Sequence, residues 1–252
     1  MREAMITIAQ LVFTLFLYAL GIILIGTAAF PGALLIKHAW MMSFQSDPLL
    51  RIFIICLSGA AAYFIYGITL IALVTFIKVL LGLSLKEGEY KIPSWGAAKW
   101  ALTNSLVLVV AVTFMDFILL TPLAPLFFRL MGAKVGKNVQ INSKNCADLS
   151  LLEIGDGAVI GGHATVIAHS VERGRIVLRK VRIGPNVVVG LNSVVLPGSD
   201  LGRRSMLAAG TVLQKDSQVG EREVYFGVPA QSVKERREKE ELLKKLENIK
   251  DS

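Results

Sequence analysis

Few side chains in this 252-residue sequence can carry a proton near neutral pH: His38, His163 and His169. An imidazole can take a proton from an attacking hydroxyl or amine and return it, because its ordinary pKa lies close to physiological pH. His169 is the leading candidate for such a general base. It stands just before residues 170–182, where five basic residues (Arg173, Arg175, Arg179, Lys180, Arg182) accompany one acid, Glu172. That positive excursion suits a phosphate-bearing ligand, which makes Arg173 and Arg175 candidate substrate contacts; a solvated or headgroup-facing loop is the plain alternative. Glu172 is the carboxylate nearest to His169 in sequence and the candidate to orient it. His163 stands six residues before His169, either as a substrate contact or as an exposed corner.

Other chemistries are excluded or have little support. Two cysteines, Cys56 and Cys146, rule out a disulfide framework and any multi-cysteine metal centre. His38 falls in an apolar stretch, so His163 and His169 alone are too few for a three-histidine zinc site, and no metal is expected. The sequence has no P-loop or dinucleotide fingerprint.

The elements that must position His169 differ between the two halves. Residues 1–128 hold 12 charges and residues 129–252 hold 34. Residues 4–36 and 52–77 contain no Asp, Glu, Lys or Arg, and residues 100–128 contain only Asp116. A bilayer core needs about 20 apolar residues in a helix, which predicts three spans near 5–29, 52–77 and 98–121. The first is too long for a signal peptide and runs into further apolar sequence. Pro31-Gly32 is expected to end the first helix, leaving residues 33–42 as either a short interfacial helix or a fourth, re-entrant piece. Trp40, Trp95 and Trp100 fall at span ends, where indoles favour the interface. The spread of Lys37, Arg51, Lys86, Lys91 and Lys99 over the loops does not fix the topology. Asp116, inside the third apolar run, is either a functional carboxylate or sits near an interface.

The second half repeats with a period of six. Ile183, Val189, Val195, Leu201, Leu207, Leu213 and Val219 are all aliphatic, and the fourth residue after each is Ser or Thr in five of seven cases. The same phase appears at Val135 and Ile141 and at Ile154, Ile160 and Val166. A helix cannot keep one face at a period of six, and an ordinary hairpin sheet would show period two with turn dipeptides every 8–12 residues. A parallel β-helix does: each hexapeptide forms one short face and a corner, and stacking buries an aliphatic column. At three hexapeptides per coil, about five coils are expected. Residues 170–182 lose the phase and are read as an inserted loop on the binding face. Residues 232–252 read as a short charged helix, its seven basic and six acidic residues alternating. That pattern argues against nucleic-acid binding. The expected domains are a transmembrane helical domain over 1–128, a β-helix over 129–231 and the charged helix over 232–252.

These residues resemble the hexapeptide-repeat acyltransferases, left-handed parallel β-helix enzymes that mostly use acetyl-CoA. The resemblance covers roughly residues 129–236. It is carried by residues 129–139 (RLMGAKVGKNV), by Val166-Ile167-Ala168-His169-Ser170, and by Gly227-Val228-Pro229-Ala230 followed by Val233 and basic residues. Spans followed by such a β-helix also resemble the carboxy-terminal region of certain nonribosomal peptide synthetases. The resemblance implies His169 as the base acting on an acceptor hydroxyl or amine. It implies an acetyl-CoA or other acyl-CoA donor bound at Asn192, Ala208, Gly210 and Lys215, with Ala208 to Thr211 along its pantetheine arm and Lys215, together with Arg203 or Arg204, near its phosphates. It also implies a homotrimer with sites between subunits. Acyl-CoA is cytosolic, so the β-helix is expected in the cytosol, beneath a multi-pass anchor in the cell membrane, with a small-molecule or lipid-linked acceptor. A non-catalytic trimeric membrane scaffold is the alternative from another class. A metalloenzyme like the γ-class carbonic anhydrases, which share the fold, is the least favoured reading.

Overall fold

The computed structural model describes residues 2–234, 236, 237 and 241. Contacts divide the chain into two compact units, Met1–Leu83 with Ala101–Phe114, and Ser84–Trp100 with Met115–Ser252.

The first unit is helical. Helix α1 runs Arg2–Met42 and α2 runs Pro48–Leu80; α3, Trp95–Thr113, contributes its part from Ala101 onward. Asp47 starts α2 by accepting from the backbone N–H groups of Leu49 (2.9 Å) and Leu50 (3.3 Å), with Pro48 in the first helical position. The break expected at Pro31-Gly32 does not occur, and α1 continues through both residues. Gly32 explains why the helix is held there. A Cβ at Gly32 would lie 2.8 Å from the Ala62 carbonyl oxygen, so α2 packs directly on this turn and supports the backbone that Pro31 weakens. Gly67 in α2 likewise admits the ring of Phe114, which a Cβ would meet at 2.2 Å. Tyr63 Oη donates to the Thr113 carbonyl at 2.6 Å beside it.

Thr7–Met42, Pro48–Leu80 and Trp95–Thr113 are long and apolar enough to cross a membrane. The third ends at Thr113 rather than near 121. The apolar residues beyond it form two short helices, α4 (Met115–Ile118) and α5 (Leu123–Leu130), whose Met115, Ile118, Phe127 and Phe128 are buried in the second unit. Hydropathy cannot separate residues that face lipid from residues that face a protein core. Asp116 therefore lies outside α3, exposed and paired with Lys144 at 2.6 Å.

The second unit is built on a parallel β-helix. One face stacks Lys134–Val135, Leu152–Ile154, Val181–Ile183, Asp200–Leu201 and Gln218–Val219. A second stacks Gln140–Ile141, Val159–Ile160, Val188–Val189, Met206–Leu207 and Val224–Phe226, closed by Gln231–Ser232 running antiparallel. The third stacks Thr165–Val166, Val194–Val195 and Val212–Leu213. Ile183 pairs with Leu201 and Leu201 with Val219, a rise of one coil every 18 residues (201 − 183). Those aliphatic residues and the small residues four positions on, Ser193, Ser199, Ser205 and Thr211, are all buried.

Corners are turned three residues after each aliphatic position. Asn186, Asn192, Gly198, Arg204, Gly210, Asp216 and Arg222 all have positive φ, between 54° and 80°. The glycines directly after the aliphatic residues serve a different purpose. A Cβ at Gly190 would lie 2.5 Å from the Leu207 carbonyl oxygen of the next coil, so these sites are kept bare by the stacking of coils.

The phase break expected at 170–182 is an antiparallel arm over His169–Leu178 rather than a loop, and from Val181 the chain has rejoined the first face. His169–Glu172 pairs with Arg175–Leu178 around a turn at Arg173-Gly174, and Gly88–Lys91 adds a third strand. The charged helix expected over 232–252 falls, apart from a few positions, outside the described residues.

Candidate active site

Asp148 sits in the left-handed region (φ 56°) just before a 3₁₀ turn over Leu149–Leu151, a conformation that Asp tolerates better than most residues. This turns its carboxylate inward, where it is fully buried. Oδ2 meets His169 Nδ1 at 2.6 Å and accepts from the Ala168 backbone N–H at 3.0 Å. Oδ1 accepts from Trp100 Nε1 at 2.8 Å. The Trp100 indole also stands edge-on to the His169 ring, with centroids 4.9 Å apart. The His169 side chain is one-quarter exposed. A buried carboxylate on Nδ1 holds the proton there and leaves the Nε2 lone pair for an incoming acid. The arrangement can therefore take a proton at Nε2 and stabilise the imidazolium that results.

Sequence proximity pointed to Glu172 as the orienting group, but the carboxylate on His169 is that of Asp148. Glu172 lies on the exposed arm, where it accepts from Ser170 Oγ at 2.7 Å and pairs with Lys215. The Lys215 ammonium, followed by Ser170, holds the Glu172 carboxyl below its usual range. Lys215 thus ties the arm to the coils and is not an isolated cation.

The positive excursion is largely neutralised. Arg175 pairs with Glu89 (3.0 Å), Arg179 with Asp216 (2.6 Å) and Lys180 with Glu153 (3.5 Å); Arg182 pairs with Glu153 and Asp200. Asp216 raises the Arg179 guanidinium above its ordinary value, and Lys134 leads the cations that lower Glu153. Arg173, at the turn, joins none of these pairs.

The remaining candidates lie along a different corner. His163, Asn192 and Gly210 stack there with φ of 55°, 55° and 70°. The Asn192 N–H donates to Gly162, that of Gly210 to Leu191 and that of Ala208 to Tyr225. These backbone donors already bond coil to coil, while a Cβ at Gly210 would meet open space. His163 and His169 occupy different corners because one hexapeptide is one face. Among the described residues no group of three His, Cys, Asp or Glu is placed to hold a metal. Cys146 is buried, which pushes its thiol up to about 12; at neutral pH it is no nucleophile.

Asp148 does not stand out in the sequence, and Trp100 stands out there only as an interfacial indole. One signal was available: 148 and 169 differ by 21, close to the 18-residue coil, so the carboxylate is a neighbour one coil away.

A family profile described as the hexapeptide repeat of succinyl-transferase matches residues 180–215. Over 123 residues the chain is 30% identical to "Putative acetyltransferase YvoF" of Bacillus subtilis (strain 168), spanning 48% of this chain and 70% of that protein. Over 172 residues it is 24% identical to delta-poly-L-ornithine synthetase of Acinetobacter baumannii (strain AB307-0294); this covers 66% of the chain but only 12% of the synthetase. A solved hexapeptide-repeat-containing acetyltransferase from Vibrio cholerae O1 biovar eltor, complexed with acetyl coenzyme A, is similar with 18% identity and a TM-score of 0.45. That match covers 61% of this chain and 96% of that one.

Proposed function

Because the chain belongs to the hexapeptide-repeat acyltransferase family, we propose that it is a membrane-integral acyltransferase. It moves an acetyl or other acyl group from acyl-CoA to a hydroxyl or amine presented at the membrane surface. The observation that carries this reading is the buried Asp148 carboxylate 2.6 Å from His169 Nδ1, which leaves Nε2 as the base.

The step balances as follows. His169 Nε2 takes the proton of the acceptor O–H or N–H as its oxygen or nitrogen bonds to the thioester carbonyl carbon. The tetrahedral adduct collapses with cleavage of the C–S bond. The imidazolium returns the proton to the departing thiolate, giving the acylated acceptor and CoA thiol. Asp148 stabilises the imidazolium throughout.

Donor binding is assigned to the corner of Asn192, Ala208 and Gly210, where the open side of Gly210 supports close approach of a pantetheine arm. In one chain that corner is a full face away from His169. A homotrimer in which one subunit's corner faces its neighbour's His169 would bring them together. The three apolar helices support a multi-pass membrane location, and a CoA donor calls for the β-helix to face the cytosol.

The test is transfer of radiolabelled acetyl from acetyl-CoA into a lipid extract by the detergent-purified chain. His169→Ala is expected to lower the rate by about 10²–10⁴-fold, the usual contribution of a general base. A His169→Ala variant as active as the native chain would overturn the assignment.

A further inference from the structure

Residues between α2 and α3, from Ser84 to Ser94, together with the first turns of α3 and Leu178 of the arm, line an open cavity of about 630 Å³. That volume is in the range of small-molecule sites. Lys86, Lys91 and Lys99 line it together with Tyr90, Trp95 and Leu178. Glu89 is the acid on its wall, and its carboxylate is taken by Arg175 at 3.0 Å. Lys86 and Lys91 are exposed and, among the described residues, carry no ion pair. Gly96 shapes the wall: a Cβ there would lie 2.1 Å from the Tyr90 ring, so only glycine admits that ring beside the first turn of α3.

Two features tie this cavity to the imidazole. Leu178 is the direct cross-strand partner of His169 in the antiparallel arm, and directly opposed residues project to the same face. Lys99 precedes Trp100, whose indole contacts both Asp148 and the His169 ring. A third feature is Trp95, exposed beside the cavity, an indole of the kind that favours a membrane interface.

We propose that this cavity binds the phosphate ester of the acceptor. Lysine ammonium groups hold the anion, the apolar wall takes the adjoining carbon chain, and the acceptor hydroxyl or amine is presented to His169. The lysines act here as point charges rather than bidentate clamps, which suits a headgroup that must turn. The inference rests on the acyl-transfer reading for what becomes of the bound ester, whereas the anion site itself stands apart from it.

The experiment uses the full chain in phosphatidylcholine nanodiscs, titrated with dihexanoyl phosphatidylglycerol, with glycerol 3-phosphate and, separately, with acetyl-CoA. Both phosphate esters are expected to bind, and the Lys86→Gln/Lys91→Gln double variant should weaken both at least tenfold while acetyl-CoA affinity stays within twofold. Tighter binding of the lipid than of glycerol 3-phosphate assigns the site to a lipid-borne acceptor; equal binding assigns it to a soluble one. Binding of neither ester, or no effect of the double variant, overturns the proposal. So does a double variant that loses acetyl-CoA, since the lysines would then belong to the donor. Phosphate-ester binding by a chain that ignores acetyl-CoA would leave the site standing and remove the acyl-transfer reading instead.

Discussion

Replacing Asp148 by Asn keeps the side-chain shape and removes one charge and one acceptor, and the hydrogen bonds leave the amide no satisfactory orientation. Oδ2 now accepts from Ala168 N–H and faces His169 Nδ1, while Oδ1 accepts from Trp100. With the amide oxygen toward Ala168 and His169, its NH₂ opposes the indole N–H. The tautomer and the Nδ1 hydrogen bond survive, but the imidazolium loses the carboxylate's charge, about 1.5 kcal/mol as the difference between a charge-assisted and a neutral bond, roughly tenfold in rate at 1.4 kcal/mol per decade. Flipped, the NH₂ opposes Ala168 N–H and drives the imidazole proton onto Nε2, where the base needs its lone pair. The loss then approaches the ~10²–10⁴-fold of removing the base itself. Either way a buried donor faces a donor, which costs about 1–3 kcal/mol of stability. We expect Asp148→Asn to lower kcat/KM at least tenfold and to lower Tm. Adding Trp100→Phe removes the opposed N–H while keeping a ring beside His169, so it should restore part of both. Initial rates of acetyl transfer and thermal unfolding in detergent provide the readout. Native kcat/KM in Asp148→Asn, or a Trp100→Phe effect that simply adds to the loss, would refute this reasoning.

Three further outcomes follow from the coil geometry and the charge pairs. Gly190→Ala drives a Cβ against the Leu207 carbonyl at 2.5 Å and should cost roughly 1–3 kcal/mol. Gly210→Ala meets no atom and pays only for its positive φ of 70°, about 1 kcal/mol; denaturant melts of the two variants give the comparison, and equal losses would contradict it. Cys146 should resist iodoacetamide at pH 8 until the chain unfolds, as followed by mass spectrometry. Its folded thiol keeps its proton up to about 12 while the unfolded one ionises earlier, so stability should fall as pH rises through that interval. The Glu172 carboxyl is depressed by Lys215, so its tie between arm and coils is present above the ordinary carboxylate range and is lost as pH falls through the depressed value. Amide exchange of the arm should therefore be faster in Glu172→Gln at neutral pH, with protection in the native chain converging on it in acid; identical exchange at neutral pH would show that the pair contributes nothing.

The β-helix was legible because its rule is periodic. Every sixth residue from Ile183 to Val219 is aliphatic, and each one is buried. The corner signal was also present, as Asn, Asp or Gly three residues after five of the seven aliphatic positions, beside glycines that directly follow four of them. Those glycines answer to the carbonyls of the next coil, a contact 18 residues away. Distance in a solenoid also explains the orienting carboxylate: Glu172 is closer to His169 along the chain, whereas Asp148 is closer across one coil. Trp100 was legible only as an interfacial indole, because nothing in a hydropathy profile shows a donor reaching a buried carboxylate. The helix end at Thr113 was hidden for a related reason, since Phe127 and Phe128 would read identically facing lipid or core. Pro31 misled in the opposite direction, because packing against Ala62 supports a turn that an isolated helix would lose.

Whether the chain uses a CoA donor at all is settled by calorimetric titration of acetyl-CoA and free CoA into the detergent-purified chain, which requires no knowledge of the acceptor. The account predicts saturable binding of both in the micromolar range, about −8 kcal/mol, retained by His169→Ala and weakened by a bulky substitution such as Gly210→Leu on the proposed donor corner. A well-folded chain that binds neither would contradict it, and His169 with Asp148 would then have no thioester on which to act.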